Sequence, residues 1–149
     1  MRSLGLDVGD RRIGVALSDA LGLLASPLTV LERKNEAADI EAILQIVKEN
    51  QVELIIVGLP RSMNGTIGPQ AEKVKAFTQK LTEASPVPVE YRDERLTTVA
   101  AKRLLQEANT KKSSKFKKIE YDAAAAAIIL QSYLNESRPL EWPPEDNDQ

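Results

Sequence analysis

The sequence predicts an α/β domain: a mixed five-stranded sheet that opens with an antiparallel hairpin, continues with parallel strands and carries helices packed on it. Three observations point there. Short apolar or alternating runs recur at residues 3–8, 13–18, 25–31, 53–58 and 86–92. The first two are separated only by a short stretch, GDRRIG, whose residues suit a hairpin. Beyond residue 35 the runs alternate with amphipathic helical stripes, the pattern of parallel crossovers.

Taken in order, the first strand places Leu4, Leu6 and Val8 on one face and Gly5, Asp7 and Gly9 on the other. The third run, ASPLTVL, contains Pro27, which favours an edge or a strand start. Asn35 or Asp39 can open a helix whose buried stripe is Ile40, Ile43, Leu44 and Val47. ELIIVG (53–58) is continuously apolar, as central parallel strands often are. The loop LPRSMNGTIGP follows, with Pro69 suited to the first turn of a helix that buries Ala71, Val74, Phe77 and Leu81. After the strand at 86–92, Thr97 or Thr98 can cap a helix with stripe Ala101, Leu104, Leu105 and Ala108. Residues 109–118 read as a Lys-rich loop, and YDAAAAAIILQSYL (121–134) as a helix favoured by alanine. The domain is expected to span 1–137, followed by a Pro-rich acidic tail at 138–149.

Composition narrows the chemistry. The chain has 149 residues, 42% hydrophobic and 28% charged, an ordinary globular balance with room for a real core. No apolar run is long enough to span a bilayer and no signal peptide is evident, so cytoplasmic residence is expected. There is no Cys and no His. That removes disulfides, thiolate sites, the commonest general base and the commonest transition-metal ligand. Chemistry is left to carboxylates, hydroxyls, Lys, Tyr and a hard cation such as Mg²⁺ or Mn²⁺. A net charge of −2 gives no global signal for nucleic acid.

Three acids fall where a packed sheet does not ask for them: Asp7 inside the first strand, Glu94 just beyond the last, and Asp122 at the start of the Ala-rich helix. Singly, each has an ordinary explanation: a solvated strand face, a loop acid, a helix-capping acid. Together they suggest a cluster at the carboxyl ends of the parallel strands. Three carboxylates at one point repel, and a divalent cation relieves that. Two such ions about 4 Å apart activate a water and stabilise a leaving oxygen in phosphodiester hydrolysis. Gly5 and Gly9 are expected to leave room beside Asp7 for metal and substrate.

The blocks LGLDVGDRRIGVALSD, IIVGLPRSMNGTIGPQA, YRDERLTTVAA and YDAAAAAIILQSY together resemble the YqgF (RuvX) family, and they cover most of residues 3–134. The resemblance implies an RNase H-like fold and an endonuclease processing precursor 16S ribosomal RNA. It also implies Asp7, Glu94 and Asp122 as catalytic, metal-binding acids. RuvC-type resolvases carry a further acid one helical turn later; here that position is Ala125, so a three-acid site is expected.

Candidate substrate contacts surround these acids. Arg11 and Arg12 lie at the hairpin tip, and Arg61, Asn64 and Gly65 lie on a loop leading into a helix N-terminus, a natural phosphate site. Arg95 and Thr97 flank Glu94, while Lys111, Lys112, Lys115, Lys117 and Lys118 concentrate positive charge before Asp122. The expected partner is structured nucleic acid, with precursor rRNA favoured and branched DNA next, and the chain is expected to be a monomer or weak dimer. Two other readings stay open. DVGDRRIG also fits the phosphate hairpin of sugar kinases and actin, but one lobe is too few for such an enzyme. A non-catalytic RNA- or ribosome-associated module would carry the same acids for structure alone.

Overall fold

The computed structural model describes residues 1–60, 68–93 and 114–137. Five strands, β1 (Ser3–Val8), β2 (Arg12–Ser18), β3 (Ala25–Glu32), β4 (Leu54–Leu59) and β5 (Val89–Asp93), form one sheet in the order β3-β2-β1-β4-β5. β2 pairs antiparallel with both β1 and β3, whereas β4 pairs parallel with β1 and β5. The expected mixed sheet is therefore the observed one. Pro27 lies on an edge strand, where its missing N–H costs least, and the register shifts between Val15 and Ala16 beside it.

Helices cover both faces. α1 (Glu36–Glu49) is capped by Asn35, whose side chain accepts from the Ala38 N–H. α2 (Pro69–Ala84) begins with proline, where a missing N–H is harmless. The first core is built from the apolar face of β1 (Leu4, Leu6, Val8), the matching face of β4 (Ile55, Val57, Leu59) and helix residues such as Ile43, Val74, Phe77 and Leu81. On the opposite face, Ala16, Leu54 and Ile56 pack against Ala126, Ile129, Leu130 and Leu134 of α3 (Ser114–Ser137). Strand alternation thus separates two cores, one on each side of a sheet whose interior strand β4 is buried throughout.

Close contact seats α3. A Cβ on Gly14 would lie 1.8 Å from the Asp122 carbonyl oxygen, and one on Gly5 would lie 2.8 Å from Leu130 Cβ. The helix is then tied at both sides. Gln131 accepts from the Ala25 N–H at 2.8 Å and donates to the Leu23 carbonyl at 3.0 Å. Arg92 of β5 donates to Ser132 Oγ at 2.7 Å and to both carboxylate oxygens of Glu136.

Two expectations need correction. The Lys-rich stretch is not a loop up to residue 118, because α3 already runs from Ser114 and takes in Lys115, Lys117 and Lys118. Lysine is a good helix former, and Phe116 and Ile119 already stand at the helical spacing that continues to Ala123; the density of lysines hid that start. Asp122 consequently sits in the third turn of α3 and neither opens nor caps the helix. The expected helix beginning at Thr97 or Thr98 and the acidic tail lie outside the described residues.

Gly14→Ala should lower stability by about 2 kcal/mol or more, because the clash is with backbone that cannot rotate away; thermal or urea unfolding measures it, and a change under about 0.5 kcal/mol would contradict this seating. The Arg92 hydrogen bond, with its charge attraction second, holds the exposed Glu136 carboxyl below its ordinary value of 4.5. Its small contribution to stability is therefore complete above that value and fades as pH falls through the depressed one. Glu136→Gln should remove that portion of the acid-side loss in a pH series of unfolding curves.

Candidate nucleic-acid site

The site is assembled from one cross-strand pair and one helix. Asp7 of β1 stands directly opposite Gly14 of β2, so their side-chain positions share a face about 5 Å apart. The backbone of Asp122 lies where a Gly14 side chain would be. Asp7 and Asp122 are thereby brought to the same face at the hairpin end of the sheet. Arg12, two residues before Gly14, faces the same way, and its Nε donates to Asp122 Oδ2 at 2.6 Å. Both partners of that ion pair are half-buried, with side chains 29% and 27% exposed.

The parallel strands extend this edge. β1 ends at Val8, β4 at Leu59 and β5 at Asp93, all in the same direction. The edge that carries Asp7 is therefore also the one at which β4 and β5 end. Glu94, Arg61, Asn64, Gly65, Arg95, Thr97, Lys111 and Lys112 lie outside the described residues. Among the described residues no three acids gather within reach of one ion. Asp7 and Asp122 supply hard oxygen donors in a chain without His or Cys, a donor set that fits Mg²⁺ or Mn²⁺ better than a softer metal.

Two sequence readings change here. Gly5 does not make room for metal and substrate: its missing side chain is the space taken by Ala126 and Leu130 of α3. A side chain on Gly9 would meet the Arg12 carbonyl at 2.9 Å, because Gly9 closes the hairpin by donating its N–H to that oxygen. Arg12 is also not at the tip but the first residue of β2, held by Asp122. Arg11 is exposed at the turn, as a phosphate contact requires.

The sequence reading missed the group that braces the turn from the other face. Arg33, just past β3, donates to the Gly9 carbonyl at 2.7 Å and to buried Asp39 Oδ2 at 2.8 Å, and its guanidinium stacks over Phe77. Asp39 Oδ1 also accepts the Lys34 N–H. An arginine just past a strand and an acid one turn into a helix look solvated in sequence; only their burial betrays them. Gly14 was equally overlooked: as the last residue of GDRRIG it was read with the hairpin, whereas it lies inside β2, where a glycine is a sign of close backbone approach. A cavity of about 300 Å³ opens beside this brace, lined by Val8, Arg33, Val74 and Phe77 among others. It lies on the α1–α2 side and takes in neither acid.

Comparison with known proteins agrees with this architecture. The sequence model of a family described as "RuvX: Holliday junction resolvase" matches residues 1–136. A protein of Caldanaerobacter subterraneus named "Putative pre-16S rRNA nuclease" is 51% identical over 138 residues, covering 93% of this chain and 99% of that one. One of the same name from Moorella thermoacetica is 51% identical over 135 residues, covering 91% and 95%. Among solved structures, RuvC of T. thermophilus in complex with a Holliday junction substrate superposes with a TM-score of 0.56 at 16% identity, covering 93% of this chain and 96% of that one. The Fowlpox virus resolvase with its substrate junction DNA gives 0.57 at 11% identity, covering 93% and 100%. At such identities the likeness shows the fold, which is the RNase H-like one.

Proposed function

The chain belongs to the RuvX family, and from that premise we propose that it is a metal-dependent endonuclease that hydrolyses phosphodiester bonds, acting in maturation of the 5′ end of precursor 16S rRNA. The observation that carries this reading is the placement of Asp7 and Asp122 on one face, at the edge where the parallel strands end. The names of relatives about half identical over nearly their whole length supply the substrate.

Residues 1–137 are taken as the nuclease domain. Asp7, Glu94 and Asp122 would hold Mg²⁺ or Mn²⁺, in a pair of ions. When bound, such ions supply an activated water and neutralise charge on the leaving oxygen. Everything else falls to the chain's own groups. Arg11, at the exposed turn, would meet the phosphodiester backbone beside the acids. Arg12, Arg61, Asn64, Gly65, Arg95 and Thr97 would orient the strand on either side. Lys111, Lys112, Lys115, Lys117 and Lys118 would give sequence-tolerant, salt-dependent affinity. No helix among the described residues is long and apolar enough to cross a membrane, and the substrate points to the cytoplasm. The description of the family as a resolvase favours a second substrate, a four-way DNA junction.

Purified protein should cleave a precursor 16S rRNA fragment in Mg²⁺ or Mn²⁺ and leave it intact in EDTA. Asp7→Asn should reduce the rate at least ~1,000-fold while the unfolding curve stays cooperative, since the substitution removes a metal ligand and leaves the core intact. A four-way junction assayed in parallel decides between the two substrates; cleavage by Asp7→Asn at the native rate would remove the active-site assignment. Changing the five lysines to Gln should flatten the salt dependence of RNA binding by about 0.7 in log–log slope for each phosphate that is no longer neutralised. An unchanged slope would mean that the lysines are only solvated.

A further inference from the structure

We propose that Arg12 couples cation binding to phosphodiester binding, by sharing Asp122 with the cation until a substrate phosphate takes the arginine over. This rests on the reading of Asp7 and Asp122 as cation ligands, and goes beyond it by giving a positively charged neighbour a defined part in the order of binding.

The geometry starts from the hairpin. Arg12 is anchored through its backbone: its carbonyl accepts the Gly9 N–H, and it pairs with Glu32 across to β3. Its guanidinium therefore has a fixed base and one direction of reach, toward α3. There Nε donates to Asp122 Oδ2 at 2.6 Å, a short charge-assisted bond. Among the described residues, Nε is the donor of that bond. A guanidinium offers five N–H donors in a planar fork, so the two terminal nitrogens can still meet a phosphate. The side chain is 29% exposed, open enough to be approached and not so open that its charge is screened away.

Two electrostatic consequences follow. While Arg12 engages Asp122, its positive charge opposes a dication on the same carboxylate, so the chain alone binds such ions weakly. A phosphate near the hairpin attracts Arg12, takes up part of its charge and returns the Asp122 carboxylate to the cation. Each ligand then raises affinity for the other, and linkage makes the effect reciprocal. The device suits a site in which two or three carboxylates would otherwise capture cations whether or not a substrate is present.

The test is calorimetric titration of the full chain with Mn²⁺ alone, and again with a phosphorothioate oligoribonucleotide that resists hydrolysis. In the native protein the oligonucleotide should tighten Mn²⁺ binding. Arg12→Gln should bind Mn²⁺ alone about tenfold more tightly, as expected for removing one unit charge beside a dication, and the oligonucleotide should add little further. Arg12→Lys, which keeps the charge but loses the fork, should stay near native affinity for Mn²⁺ alone. Wild-type or weaker Mn²⁺ affinity in Arg12→Gln overturns the proposal, as does coupling that survives the substitution unchanged. A lowered melting temperature together with weakened Mn²⁺ binding would make Arg12 a structural pin of α3 and nothing more. Failure of the underlying site reads differently: Asp7→Asn and Asp122→Asn would then titrate with Mn²⁺ like the native chain.

Discussion

The contact of α3 with the sheet at Gly14 and Gly5 is the constraint on which the rest of the site depends. Packed layers of secondary structure are held apart by the side chains between them, about 10 Å in the case of two stacked sheets. Here two strand positions have no side chain, and the helix answers with alanines: Ala125, Ala126 and Ala127 are buried. The backbone of Asp122 consequently rests on the strand beside Asp7. A larger residue at either glycine would push the helix outward, and Asp122, being short, has no reach with which to compensate. The alanine run matters here less for helix propensity than for allowing this approach.

The hairpin that presents Asp7 is held from both faces. On the α3 side, Arg12 meets Asp122. On the other side, Arg33 draws the Gly9 carbonyl, Asp39 and Phe77 into one cluster. Asp39 is only 4% exposed, so its hydrogen bonds from Arg33 and from the Lys34 N–H have little water to compete with. Hydrogen bonds to a charged group contribute about 1.5–3 kcal/mol, more than a solvated surface pair does. By that measure the Arg33–Asp39 pair outranks Arg92–Glu136, whose acid is exposed. A turn braced in this way keeps a strand acid at a constant position relative to the helix, which a site built on carboxylate geometry requires.

Without His or Cys, the chain has few ways to move a proton or stabilise a developing charge. Carboxylates with a hard cation are one solution, and an arginine beside them, as Arg12 is beside Asp122, would temper how strongly that cation is held. The two kinds of group come from different elements. The strand and helix give fixed acids, and the hairpin gives Arg11 and Arg12 at the margin where a nucleic-acid backbone would pass.

Much of this was legible in the residues alone. The hairpin, the order of the described strands and helices and the edge position of Pro27 follow from local pattern, because alternation and helical periodicity are written into short windows; the family was legible only as a resemblance of whole sequence blocks. Asp7 and Asp122 could be picked out as misplaced acids for the same reason. What periodicity could not show is what depends on contacts between distant segments. The start of α3 at Ser114 is crowded with lysines, which looked like loop although Phe116 and Ile119 keep a helical spacing. Gly5 looked like space for a ligand when it is space for a helix. The pairing of Arg12 with Asp122, separated by 110 residues, and the burial of Arg33 with Asp39 exist only once sheet and helices have packed. Residue type states which chemistry is available; which charges share a face is settled by how closely α3 can approach two side-chain-free positions in the strands.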